Sequence, residues 1–187
     1  MSAGRTRTRA ILSEGKTPLS RLLALAEAGE EIVITRSGKP FAKFQPSVVT
    51  KLPRTFLDTN VLVYCDDESE PAKQERALKV LDEHTRMRTG VVSLQVLQEY
   101  FVSVTRKLRL DPETARRKVE IFAMLHVAEP TVSDILAAID LHRFHGFSYW
   151  DGLVLRMAKQ AGCRVVLSED MQHGRFVDGV QIVNPFL

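Results

Sequence analysis

The chain has 187 residues, of which 44% are hydrophobic and 26% charged, so it can bury a core of its own and is neither an intrinsically disordered segment nor a small scaffold needing staples. Its two cysteines, Cys65 and Cys163, stand far apart with no second thiol nearby, which excludes a disulfide framework and a zinc knuckle and suits a reducing cytoplasm. No run approaches 18 uncharged apolar residues, and MSAGRTRTRA carries arginines without the apolar stretch of a signal peptide, so the expectation is a soluble cytoplasmic protein with no membrane partner. The net charge of +3 conceals an asymmetry: residues 1–54 hold ten Lys and Arg against four Asp and Glu, whereas residues 55–187 hold 16 against 19. A basic first part on a mildly acidic body points to an anionic partner, nucleic acid, for the first part.

In chain order, Arg5, Arg7 and Arg9 alternate with small residues, and an extended strand or arm would set their guanidiniums on one side. AILSEGKT at 10–17 fits a relaxed phosphate-loop pattern, but arginines precede it where a buried strand should stand and Pro18 follows the threonine, so it is dismissed. PLSRLLALAEAG reads as a short amphipathic helix from Pro18 to Gly29, and EEIVITRSGKPFAKFQP as a β-hairpin around Ser37-Gly38-Lys39 closed by Pro46. SVVTKLPR, residues 47–54, reads as a linker. From Thr55, FLDTNVLVY is a buried-strand candidate, PAKQERALKVLDEHTRM a helix from Pro71, and VVSLQVLQEYFVSVTRKL a brief strand entering a helix capped by Ser93. DPETARRKVEIFAMLH is a helix capped by Asp111 with Pro112 first; TVSDILAAIDLHRFH and YWDGLVLRMAKQAG are two more; RVVLSED and VQIVNPF are strands. This alternation implies a mainly parallel sheet covered by helices.

Ligands of open α/β sheets bind beyond the carboxyl ends of strands, so Asp58 after Phe56-Leu57 and Asp170 after Val165-Val166-Leu167 are candidate site residues. Asp151 shares a helical face with Val154, Leu155 and Ala158, the stripe expected to be buried, and a buried carboxylate needs a partner. Glu99 falls opposite the apolar stripe Leu94, Leu97, Phe101, Val104 and Leu108, so periodicity makes it solvent-facing. Taken singly these acids have ordinary readings: Asp151 a helix cap, Asp58 and Asp170 loop acids, Glu99 a surface glutamate. Trp150 reads as a packing residue, and His173, in the loop after Asp170, as either a surface residue or one that meets a substrate phosphate.

The segments FLDTNVLVY, LQVLQEYF, FSYWDGLVLRMA and LSEDMQHG, in this order and with the closing NPF, resemble the PIN domain of VapC-type toxins over residues 55–187. The resemblance implies an α/β fold, a three-layer sandwich with a mainly parallel central sheet flanked by helices. It also implies divalent-metal-dependent endoribonuclease activity within a type II toxin–antitoxin system. Carried over by position, the catalytic and metal-binding acids are Asp58, Glu99, Asp151 and Asp170, with Asn60 and Ser168 in support; Asp178 has no clear place in the pattern. The chemistry behind such a set is direct. Like charges a few ångströms apart repel by roughly 1 to 4 kcal/mol per pair, so several carboxylates converge stably only around a cation, and oxygen ligands select Mg²⁺ or Mn²⁺.

LSRLL, AGEEIVITRSGKP and the following A-K-F resemble the DNA-binding half of Phd/YefM-type antitoxins over about residues 8–46. That implies a small α+β head, residues 1–46, that dimerises and binds operator DNA, with Arg5, Arg7 and Arg9 as phosphate contacts. Such antitoxins normally continue into a toxin-blocking segment. Here only residues 47–54 precede the toxin-like body, a span of at most roughly 26 Å when extended. The expectations are therefore a homodimer with RNA as substrate, operator DNA at the head, and silencing by a separate cognate antitoxin, dimer geometry or a disabled site. The alternative is a DNA-binding transcriptional regulator whose PIN-like body is an inactive interaction module.

Overall fold

A computed structural model describes residues 10–12, 32–36, 39–44 and 52–187. The chain divides into two units, residues 1–51 and 52–187. In the first, β1 (Ala10–Leu12) runs parallel to β2 (Ile32–Arg36), and β2 pairs antiparallel with β3 (Lys39–Phe44), Arg36 facing Lys39. The arginines 5, 7 and 9, the expected helix 18–29, the turn residues 37 and 38, and linker residues 47–51 lie outside the described residues.

The second unit alternates strand and helix: β4 (Arg54–Leu57), α1 (Thr59–Tyr64), α2 (Pro71–Arg86), β5 (Gly90–Ser93), α3 (Leu94–Arg106), α4 (Pro112–Phe122), β6 (His126–Ala128), α5 (Val132–His145), α6 (Tyr149–Gln160), β7 (Cys163–Leu167), β8 (Phe176–Val177) and β9 (Val180–Val183). The strands form one sheet in the order β6-β5-β4-β7-β9-β8, parallel throughout except for the short β8–β9 pair. The helix starts follow sequence chemistry. Ser93 accepts from the Val96 N–H, Asp111 from the Thr114 N–H and Ser148 from the Asp151 N–H, while Pro71 and Pro112 open their helices where an N–H has no intrahelical partner.

Two sequence expectations need correction. FLDTNVLVY is not one strand: β4 ends at Leu57, and Asp58 takes the Thr59 N–H at 2.7 Å and starts α1. The β-branched run is overridden because a helix buries Val61 and Leu62 fully. DPETARRKVEIFAMLH is helical only to Phe122, after which His126–Ala128 becomes the edge strand β6, too short to carry an alternation signal.

The core lies where the helices meet the sheet, with Phe56, Leu57, Val91, Val92, Val166 and Ile182 from strands packed against Val61, Leu62, Val96, Tyr100, Phe122 and Met157 from helices. One buried acid holds α5 to α6. Asp134 accepts from the Thr131 N–H (3.0 Å) and hydroxyl (2.6 Å), and Arg156 of α6 donates Nε to it at 2.8 Å. The Thr131 hydrogen bonds hold its carboxyl below the usual range. Asp134→Ala should cost about 2 kcal/mol through the lost cap and the stranded Arg156, lowering the melting temperature by about 4–8 °C. An unchanged thermal melt would show that this acid holds nothing.

Candidate active site

The strand order reverses direction at β4, because β5 lies on one side and β7 on the other. At such a point the chain segments leaving adjacent strands diverge and open a crevice at the carboxyl ends. Asp58 leaves β4 there and Ser168-Glu169-Asp170 leave β7, while Ser93 at the end of β5 starts α3, which carries Glu99. The loop from β7 is tied down at once: the Asp58 N–H donates to the Leu167 carbonyl and the Ser168 N–H to the Val183 carbonyl, both at 3.0 Å.

Asn60 is the hub. Its Nδ2 donates to Asp170 Oδ2 at 3.1 Å and lies 3.3 Å from Ser168 Oγ and 3.5 Å from Asp58 Oδ2, while its Oδ1 accepts the Glu169 N–H at 3.3 Å. That last bond sets the amide orientation, turning the NH₂ toward the acids. The buried Ser168 hydroxyl donates to Asp58 Oδ2 at 2.7 Å. Asp58 is itself only 7% exposed. Burial pushes its carboxyl up to about 6 against the hydrogen bonds from Ser168 and Thr59, and the negative charges of Asp170 and Asp151 add to the rise.

Glu99 does not face away from the site as the periodicity predicts. Helix α3 buries Gln95, Val96, Leu97, Tyr100 and Val104 and leaves Leu94 and Phe101 exposed, so the helix is rotated from the predicted stripe and Glu99 is half-buried. Polar-looking residues mark the true inner face. Tyr100 satisfies its hydroxyl on Asp66 at 2.6 Å and sets its ring edge-on against Phe122. Glu99 receives the Thr59 hydroxyl at 2.8 Å and the Gln95 amide at 2.9 Å, two contacts the sequence reading missed. The i, i+4 spacing of Gln95 and Glu99 is the signal that would have found one of them. Gln95 Oε1 is buried without a hydrogen-bond partner, an acceptor that an ordered water would satisfy.

Asp151 sits in the first turn of α6, half-buried beside the buried Val154, Leu155 and Ala158, and reaches the group as a charge acting on Asp58. Trp150 is 57% exposed and sets its ring edge-on against Tyr149 at 5.0 Å. His173 is exposed in the loop after Asp170 and accepts the Asn184 N–H at 3.0 Å, while Asp178 pairs with Lys159. A cavity of about 630 Å³ opens on the site, its lining including Thr59, Asn60, Glu99 and Asp170 together with Val63, Val102, Lys107 and Leu108.

Among the described residues, no three His, Cys, Asp or Glu side chains are arranged to hold a metal ion. What comes together is Asp58 with Asp170 through Asn60 and Ser168, with Glu99 joined through Thr59 and Asp151 coupled by charge. Lys73 pairs with Glu169, Lys118 with Asp66 and Arg156 with Asp134, while Lys107 lines the cavity itself. A buried carboxylate under net negative charge is a cation's environment. Mg²⁺ in particular keeps several waters and needs one or two carboxylates plus a substrate phosphate, a requirement that Asp58 and Asp170 fit.

A sequence model of the PIN domain matches residues 55–177. Three solved structures share the fold: the VapC20 toxin of Mycobacterium tuberculosis, described as cleaving the sarcin–ricin loop (15% identity, TM-score 0.51, 60% of this chain and 86% of that one), a toxin–antitoxin complex from Klebsiella pneumoniae (13%, 0.53, 70% and 97%), and a DNA-bound VapBC from Salmonella typhimurium (20%, 0.50, 70% and 97%). No curated protein matches the chain. No helix among the described residues is long and apolar enough to cross a membrane.

Proposed function

This chain belongs to the PIN domain family, and from that premise we propose that it is a divalent-metal-dependent endoribonuclease of a VapC-type toxin–antitoxin system. The observation that carries the reading is the bridging of Asp58 and Asp170 by Asn60 at the strand crossover, beside an open cavity. Asp58 and Asp170 would hold Mg²⁺ or Mn²⁺, with Glu99 and Asp151 completing the acidic site. When bound, such an ion supplies charge neutralisation for a phosphodiester and eases deprotonation of an attacking water.

The residues have distinct tasks in this reading. Asn60 fixes the separation of Asp58 and Asp170, and Ser168 holds Asp58 in its rotamer. Thr59 and Gln95 each take one carboxylate oxygen of Glu99 and leave its remaining lone pairs for the cavity, where it can orient a water. Lys107, lining the same cavity, is placed to meet an RNA phosphate.

Residues 1–46 are proposed as an antitoxin-like head that dimerises and binds operator DNA through Arg5, Arg7 and Arg9, joined by residues 47–54 to the nuclease domain 55–187. The support is the excess of basic residues over 1–54 and the resemblance of that segment. A separate cognate antitoxin would cover the site.

Cleavage of structured RNAs with Mn²⁺ or Mg²⁺, and its abolition by EDTA, tests the enzyme reading. Absence of metal-dependent cleavage, combined with salt-sensitive binding to DNA upstream of the gene, would replace it with a regulator carrying an inactive PIN domain.

A further inference from the structure

Helix α1 presents Asn60 and, one turn later, Tyr64 toward the loop that leaves β7. Asn60 meets that loop at the Glu169 N–H and the Asp170 carboxylate. The Tyr64 hydroxyl donates to Glu169 Oε2, and Lys73 of α2 donates both to Glu169 Oε1 and to the Tyr64 oxygen, the last at 2.9 Å. Lys73 Nζ also lies 4.6 Å from the Tyr64 ring centre and 5.9 Å from that of Phe186, whose ring stands edge-on to Tyr64 at 4.9 Å. Phe186 is held in turn, because its N–H donates to Asn184 and the neighbouring Pro185 carbonyl accepts from Arg76 of α2.

An ordinary exposed ion pair contributes about 0–1 kcal/mol and orders little. This one differs in construction. Lys73 and Glu169 are only 29% and 25% exposed, the ammonium is flanked by two rings, and both carboxylate oxygens of Glu169 are taken. The residue so clamped immediately precedes Asp170.

We propose that Tyr64, Lys73, Glu169 and Phe186 form a clamp whose task is to position Asp170 for the divalent ion, making them positioning residues of the site. The inference rests on the metal-dependent reading above for its purpose but not for its mechanics. Two opposed effects separate positioning from simple charge. If Lys73 acted only as a nearby positive charge, removing it would strengthen cation binding. If it positions Asp170, removing it weakens cation binding, and outer partners of metal ligands typically alter affinity by about 10–100-fold.

The test uses the full chain as wild type, Lys73→Met, and Tyr64→Phe, which keeps the ring against Phe186 and loses only the hydroxyl. Amide hydrogen exchange at Glu169, whose N–H is held by Asn60, should rise about tenfold or more in both variants without metal, with exchange in β4 and β7 unchanged. Mn²⁺ affinity by calorimetry should fall about tenfold in Lys73→Met, and Lys73→Arg should restore most of it. Unchanged loop exchange, or tighter Mn²⁺ binding in Lys73→Met, overturns the clamp. Cleavage is not read in either measurement, so a wild type that cuts no RNA would sink the nuclease reading while the exchange data still decide this one.

Discussion

Asp58→Asn is expected to abolish RNA cleavage and, in the same protein, to raise the melting temperature in EDTA at pH 7.5. The two outcomes come from one physical fact. Asp58 is buried among other acids, and its carboxyl is pushed up to about 6 from 3.8, so its ionisation opposes folding. Between pH 4 and pH 6 the folded protein holds a proton that the unfolded chain has released. Unfolding therefore becomes easier as pH rises through that window, and the loss is complete above it. A shift of this size corresponds to about 3 kcal/mol. Asparagine removes the charge but keeps an oxygen for the Thr59 N–H, and the Ser168 hydroxyl must turn to accept from the new amide. Some of the gain is lost in that exchange, leaving about 1–2 kcal/mol, or about 2–8 °C.

Cleavage should fall by about 10³-fold or more, since charge stabilisation by a metal is worth several kcal/mol. Melting curves across pH 4 to 8, with and without Mg²⁺, check the linkage. The gap between variant and wild type should widen from pH 4 to 6 in EDTA and close with Mg²⁺, because His84 and Glu169, whose pKa values are both lowered, act on the two proteins alike and cancel in the difference. A variant melting below wild type at pH 7.5 in EDTA would show that the carboxylate is not under strain, and the cation argument would go with it.

How much of this was legible beforehand depends on where the determining contacts lie in the chain. Ser93, Asp111, Pro71 and Pro112 mark helix starts through bonds made within three residues, so those boundaries read correctly. The order of strands and helices after Thr55 carried the mainly parallel sheet for a similar reason, since parallel neighbours need a crossover. Helix α1 was misread because Thr, Val and Tyr favour strands locally, and the decision for helix is made by burial of Val61 and Leu62 against distant elements. Glu99 was misread because Gln95 and Tyr100 count as polar in a periodicity although both are buried. Their partners, Glu99 for one and Asp66 for the other, show only in three dimensions. The candidate acids stand out only through a resemblance in four separated segments, and nothing local to Asp170 indicates that Asn60 lies 110 positions upstream to receive it.

The second large effect is expected away from the acids, at Gly152→Val. Gly152 lies inside α6, where glycine costs about 1 kcal/mol relative to alanine, so its presence needs a cause. The cause is the approach of α5. A Cβ at position 152 would lie 2.9 Å from the Ala138 carbonyl oxygen and 3.4 Å from the Leu141 Cβ. The nearest obstacle is backbone, which cannot rotate aside, so the helices must part. Valine should destabilise by about 3 kcal/mol, a fall of about 6–12 °C, whereas alanine should cost less because its better helix propensity offsets part of the clash. The functional consequence follows from the neighbour. Asp151 is anchored by its N–H to Ser148 in the same first turn, so a displaced α6 carries that carboxylate away from Asp58. Cleavage by Gly152→Ala, assayed well below its melting temperature, should therefore fall more than its stability loss explains. Retention of full activity would place Asp151 outside the working site. A valine variant melting with the wild type would mean that the two helices are not in close contact.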